Sequence, residues 1–287
     1  MRVILAPVAD RPECAVALNR SFDLAGDLGA SVVGCHIRPH GNSEATLPAA
    51  LTEAAAGASD AAWRAAWNPG SNKQSAVAAR GLFTGLAGSK GFDMHKTPRA
   101  KPGAIWVEKT GSPQHTIGLI GPLCDLLVVS RPESKDGSIA RLFLVVALMI
   151  SARPVLVLPQ RGNWTVGKRI CIAWNQSKDA ALAVAAALPL LQLAQHVSIV
   201  SAGPENRPGP KSSQLAAYLK AWGIQSQRVA TRGGDVNKEI LGAFKSTKSD
   251  LLVMGAYSRN RFGQTTFGTV TDHMLNRASI PVLLRHG

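Results

Sequence analysis

Apolar positions along this chain cluster in short runs, and the segments between them carry apolar residues at helical spacing. The runs Arg2–Pro7 and Arg169–Trp174 are alike and stand 167 residues apart. Each leads through a polar turn into an Ala- and Leu-rich helix, predicted over Cys14–Leu28 in the first half and Asp179–Leu193 in the second. Two more β-rich runs follow, Ser31–Ile37 and Val197–Ala202. Asp125–Ser130 then matches Asp250–Gly255 at an offset of 125, and Pro154–Leu158 matches Pro281–Arg285 at 127. The chain therefore reads as two copies of one unit.

The fall in offset from 167 to 125 gives the first copy 42 more residues than the second between its second and fourth strands. That excess falls within 40–103, where the pattern predicts helices at Leu47–Ala56, Asp60–Ala66 and Lys73–Leu86 and loops at Asn68–Asn72 and Gly88–Pro102. Elsewhere strands alternate with helices, and the strands are near-continuous apolar runs, the mark of parallel strands buried on both faces. The expected fold is α/β, two tandem doubly wound domains over residues 1–159 and 168–287, joined by a short linker at Pro159–Lys168. In such sheets ligands sit beyond the carboxyl ends of the strands, where strand order reverses.

Composition supports a packed protein: 46% of the 287 residues are hydrophobic and 17% charged, which excludes a disordered chain. Cys14, Cys35, Cys124 and Cys171 form no C-x-x-C pair and no cluster with His at metal-ligand spacing, so neither a disulfide scaffold nor a zinc module is expected. Met1–Asp10 is too short an apolar stretch for a secretory leader. The longest apolar helix segment, Leu142–Ile150, closes at Ser151–Pro154 and is far short of a bilayer span. A soluble, cytoplasmic protein without membrane contact is the expectation.

The net charge of +14 is divided unequally. Residues 1–160 hold 16 basic and 12 acidic side chains, residues 161–287 hold 16 and 6. Such a field favours anionic partners. The charges are spread singly, and Lys211, Lys220, Arg228, Arg232, Lys238, Lys245 and Lys248 follow no single helical face, so the nucleic-acid reading ranks behind the others.

The chemistry concentrates after the fourth strand of the second copy. Gly255 ends that strand, Arg259 and Arg261 lie in the following loop, and Gly268-Thr269 opens a helix over Thr269–Arg277, whose free N–H groups and dipole favour an anion. This stretch resembles the universal stress proteins in their tandem form, whose nucleotide-binding members carry G-x2-G-x9-G-(S/T) here. The pattern in this chain is Gly255-x2-Ser258-x9-Gly268-Thr269. The resemblance covers nearly all of the second half and, in the first, the segments of strands one, four and five.

The resemblance implies a five-stranded parallel fold, HUP-like and akin to the adenine nucleotide α-hydrolases, that pairs as a homodimer or, with two copies in one chain, as an intramolecular pseudodimer. It implies ATP or AMP as ligand. Ala173, Trp174 and Asn175 match the turn that touches base and ribose, and Ala202 the backbone position beside adenine. Met254 and Gly255 match the strand-four end, and Ser258, Gly268, Thr269, Val270 and Thr271 the phosphate loop and helix start. Two positions depart from the pattern. Asn175 stands where binders carry Asp; an amide hydrogen-bonds a ribose hydroxyl but does not hold Mg2+ as a carboxylate does. Ser258 replaces a Gly, which disfavours a positive φ beside the phosphate.

The first copy departs further. Ala9 stands in place of the acid, Ser130–Glu133 lacks both glycines, Pro132 removes a donor, and Phe143 stands where the third Gly belongs. It is read as a degenerate site and a packing partner.

The rest of the chain offers no catalytic constellation: no His-x-x-x-His pair, no Gly-x-Ser-x-Gly elbow, no Cys with a base. Asp125 and Asp250 are expected to cap the preceding helix or turn, Asp179 to act as a helix N-terminal acid, and Asp235 and Ser112 to be N-caps. Trp63, Trp67 and Trp106 mark either the core of the insertion or a contact patch, and the core is the preferred reading. Trp174 either stacks on a base or plugs the pocket. The leading reading is a stress protein that holds an adenine nucleotide in its second domain as a regulatory ligand. The runner-up is a scaffold without nucleotide, acting through protein contacts. Slow ATP hydrolysis is the third, with no obvious base to support it.

Overall fold

A computed structural model of the chain describes residues 1–39, 69–133, 137–162, 165–256 and 268–286. It divides into two units, Met1–Arg161 and Gly162–Gly287.

In the first unit the elements run β1 (Val3–Pro7), α1 (Pro12–Leu28), β2 (Ser31–Arg38), α2 (Pro69–Ser89), β3 (Met94–His95), β4 (Ala104–Thr110), α3 (Pro113–Ile120), β5 (Leu126–Ser130), α4 (Gly137–Ile150) and β6 (Val155–Leu158), with a 3-10 turn at Gly121–Leu123. The second holds β7 (Arg169–Ala173), α5 (Lys178–Leu193), β8 (His196–Ser201), α6 (Ser212–Ala221), β9 (Gln227–Ala230), α7 (Val236–Ser246), β10 (Leu251–Gly255), α8 (Thr269–Asn276) and β11 (Val282–Arg285).

Strand order is β3-β4-β2-β1-β5-β6 in the first unit and β11-β10-β7-β8-β9 in the second. Every one of these pairings is parallel. The order reverses beside β1 and beside β7, because the chain builds to one side through β2 or β8 and then crosses to the other. Both units are thus doubly wound α/β sheets. The strands β5, β6 and β10 are buried along almost their whole length, as continuous apolar runs require.

Local signals set most of the helix starts. Ser112 accepts the His115 N–H at 3.2 Å with Pro113 in the first helical position, and Asp235 accepts the N–H groups of Asn237 and Lys238. Asp125 and Asp250 do something other than cap a helix. Asp125 accepts the N–H groups of Arg2 and Val3 at 2.6 and 3.0 Å, and Asp250 those of Gly167, Lys168 and Arg169 at 3.0 Å each. Each carboxylate ties the incoming first strand of its unit to the foot of β5 or β10. Sheet geometry brings the two strand ends together, which a reading by nearest neighbour in sequence overlooks.

The insertion departs from expectation in three places. Helix α2 begins at Pro69, so residues 69–72 are helical where a loop was expected, because Pro suits the first helical turn. The helix then runs through Ser89, and β3 lies inside the second expected loop. That strand brings the first unit to six strands rather than five. The predicted helices Leu47–Ala56 and Asp60–Ala66, with Trp63 and Trp67, fall outside the described residues. Phe83 of α2 lies 5.4 Å from Phe22 of α1 and 5.5 Å from Trp106 of β4, ring centre to ring centre. Trp106 is half-buried: its ring packs on Phe83, and it belongs to β4 rather than to the insertion.

All four Cys are free, and burial pushes the Cys14 thiol up to about 11 and those of Cys35, Cys124 and Cys171 up to about 12. Among the described residues no helix is long and apolar enough to cross a membrane.

Candidate functional site

Beyond the carboxyl ends of β7, β8 and β10 lies a cavity of about 300 Å³. The switch in strand order opens it, because helices leave the sheet to opposite faces at this point. Ala173, Trp174, Asn175, Ala202, Met254, Gly255, Gly268, Thr269, Val270 and Thr271 all line it. The remaining expected residue, Ser258, lies outside the described residues, as do Arg259 and Arg261.

The wall after β7 is fixed by its own polar groups. Asn175 Oδ1 accepts from Ser177 N at 3.2 Å and from Ser177 Oγ at 2.6 Å, and Ser177 in turn caps α5 through the Ala180 N–H at 3.1 Å. Gln176 has a left-handed backbone, φ 60°, and is buried. Its Nε2 donates to the carbonyls of Arg207 and Gly209 at 3.0 and 2.9 Å, and its Oε1 accepts the Arg207 N–H at 3.1 Å. All the hydrogen-bonding capacity of this buried amide but one lone pair is thereby used. A Cβ on Gly209 would stand 2.1 Å from the Gln176 carbonyl oxygen, so only glycine fits against that turn.

Trp174 is buried, 4% exposed, and its Nε1 donates to the Pro210 carbonyl at 2.8 Å. The indole neither fills the cavity nor lies open as a stacking platform. It forms part of the wall and holds the 204–210 loop.

That loop is held at its other end by Glu205, whose Oε1 accepts from Ser201 Oγ at 2.7 Å and from Ser212 N at 2.8 Å. Burial alone would raise the Glu205 pKa, but those two bonds outweigh it and hold the carboxyl below its ordinary value. Behind it, Glu239 takes the Thr231 hydroxyl and the Gly234 N–H, and these lower its pKa in the same way.

Gly255 has a different part from the one its place suggested. A Cβ there would come within 2.6 Å of the Ala180 nitrogen and of the Asp179 carbonyl carbon. Its lack of a side chain lets the first turn of α5 lie against the end of β10. Close approach is needed, but by the protein's own backbone.

The opposite wall is the start of α8. Ser112, Ser177 and Asp235 cap their helices with side chains, whereas Gly268 gives α8 none. Among the described residues no side chain caps the first N–H groups of this eight-residue helix, and Gly268, Thr269, Val270 and Thr271 line the cavity. Val200, Val236, Ile240 and Met254 give the cavity an apolar side, and Asp179, Glu205 and Arg207 its charges. Among the described lining residues there is no His and no Cys.

Residues 167–286 match the sequence model of the Universal stress protein family. The chain carries a universal stress protein domain. Its fold extends over the whole chain: the crystal structure of a universal stress protein from Archaeoglobus fulgidus DSM 4304 is similar with a TM-score of 0.66 at 16% identity, covering 99% of this chain and 98% of that one. A functionally unknown protein from Pseudomonas aeruginosa PAO1 is similar with a TM-score of 0.59 at 14% identity, covering 100% of this chain and 92% of that one. No curated protein matches the chain.

Within the universal stress protein domain, sequence reasoning missed Gln176, Glu205, Arg207 and Ile240. Gln176 and Glu205 flank polar turns and gave no periodic signal. Ile240 is an ordinary apolar helix position until the fold turns it toward the cavity.

Proposed function

We propose that the second unit binds an adenine nucleotide, ATP or AMP, as a regulatory ligand of a stress-response protein. The observation that carries this reading is the cavity itself. It joins an apolar side suited to a base with a helix start whose donors are left without a side-chain cap, which suits phosphate. Basic residues outnumber acidic by 16 to 6 in residues 161–287, and this favours the same charge. The family resemblance points to the same ligand, and the four free thiols fit a reducing, cytoplasmic setting.

One observation favours the scaffold reading. Asn175 Oδ1 is already engaged by Ser177, so a ribose hydroxyl would have to displace that turn. Calorimetric titration separates the two. ATP is expected to bind once per chain, GTP more weakly, and Gly268→Val to weaken ATP by roughly tenfold or more, 1.4 kcal/mol per factor of ten. Heats that do not saturate at millimolar ATP would leave the scaffold reading in place.

A further inference from the structure

The first unit has its own cavity of about 240 Å³, beyond the ends of β1, β2 and β5. It occupies the same place in the topology as the nucleotide candidate, but its chemistry is different.

At the offset of 127 that relates β6 to β11, Gly268–Thr271 correspond to Arg141–Leu144, so Gly268 falls against Arg141, two residues before the Phe143 that counting from the preceding strand gave. In the second unit those positions begin a helix. In the first, α4 starts at Gly137, so the same positions lie in its second turn and their N–H groups are taken up by the preceding carbonyls. These positions of α4 therefore lack the open helix start that α8 presents in the second unit. The wall is instead formed by Ile139, Ala140, Phe143 and Leu144. Across from it, Ala9 replaces the polar Asn175, and Cys14 adds a thiol that burial keeps protonated.

Two cations lie on the same lining. Arg11 stands 3.7 Å from Glu13, and Arg38 stands 3.1 Å from Glu108. Glu13 is the one acid among the described lining residues, and Glu108 reaches Arg38 from outside that lining, so each guanidinium already stands beside a carboxylate. An apolar cavity of about 150 Å³ suffices to take up benzene. This one is larger and is bordered by two guanidinium groups that a ligand carboxylate could take over from Glu13 and Glu108.

We propose that the cavity of the first unit binds a medium-chain carboxylate, with its hydrocarbon chain against Ile139, Ala140 and Phe143 and its head beside Arg11 and Arg38. This does not depend on nucleotide binding in the second unit.

The test is calorimetric titration of the full chain with decanoate and with decanol, with and without saturating ATP. Decanoate is expected to bind once per chain and more tightly than decanol, with ATP leaving both unchanged. Ala140→Phe fills the cavity and is expected to weaken both by about tenfold or more. Arg11→Gln, at the surface, is expected to weaken decanoate and leave decanol as it was, so the assignment stays testable if the filled variant does not fold. Absence of saturable binding would overturn the proposal, as would decanoate binding that neither substitution changes or that ATP displaces.

Discussion

Asp250 is 8% exposed and accepts three backbone N–H groups from the strand that opens the second unit. Replacing it by Ala leaves those donors without a partner in a nearly water-free place. The expected loss is about 2–3 kcal/mol in urea unfolding, the scale of hydrogen bonds to a buried charge. The glycines make a paired prediction. Gly209→Ala would put a methyl 2.1 Å from the Gln176 carbonyl oxygen, so it is expected to destabilise by about 1–3 kcal/mol. Gly242, in the interior of α7, has nothing within 4 Å of the added carbon, and Gly242→Ala is expected to stabilise by roughly 0.5–1 kcal/mol. Thermal unfolding of the two variants side by side checks both signs. At this scale the sequence was legible where a signal is local: Ser112 and Asp235 cap as their positions imply. It misled at Asp125 and Asp250, whose partners are more than 80 residues away in the chain.

The central elements could be read in advance because burial on both faces writes an apolar run into β1, β5, β7 and β10. β4 and β9 could not. β9 is a sheet edge with most of its residues exposed, and β4 is exposed over its last three, so neither carries such a run. The start of α2 was obscured by Pro69, which signals a loop by composition and a helix start by geometry. The loops after β8 and β9 depend on Glu205 and Glu239. Both have native pKa values below the ordinary 4.5, so the folded state binds fewer protons than the unfolded one across that range. Their contribution is present above pH 4.5 and is lost as pH falls through the lowered native values. Urea unfolding is therefore expected to show stability declining below about pH 4.5, with a shallower decline in Glu239→Gln. An unchanged acid slope in that variant would assign the decline to other carboxylates.

As a whole the molecule carries one fold twice, with different chemistry at the same topological position. The second unit keeps a short helix with an uncapped start beside its cavity. The first extends the corresponding helix backward and lines the cavity with hydrocarbon. The repeat was visible in the offsets of 125 and 127, while the strand pairings relate β1 to β7 at 166, one less than the match of apolar runs gave; the line of residues meeting at the second cavity was visible through the family pattern. The first unit was read only as a loss of nucleotide-site residues, because a missing glycine says nothing of what fills its place. The size of the apolar cavity is set by Ile139 and Phe143 standing on an extended helix, and no motif records that.

The central claim is that the second unit holds an adenine nucleotide, and thermal unfolding with and without excess ATP, AMP and GTP tests it most directly. A ligand that binds only the folded state at 100 times its dissociation constant stabilises by about 2.7 kcal/mol, a rise of several degrees for a domain of this size. The account predicts that rise with ATP or AMP, a smaller one with GTP, and its loss in Gly268→Val. Unfolding at the same temperature with and without millimolar adenine nucleotide would contradict it.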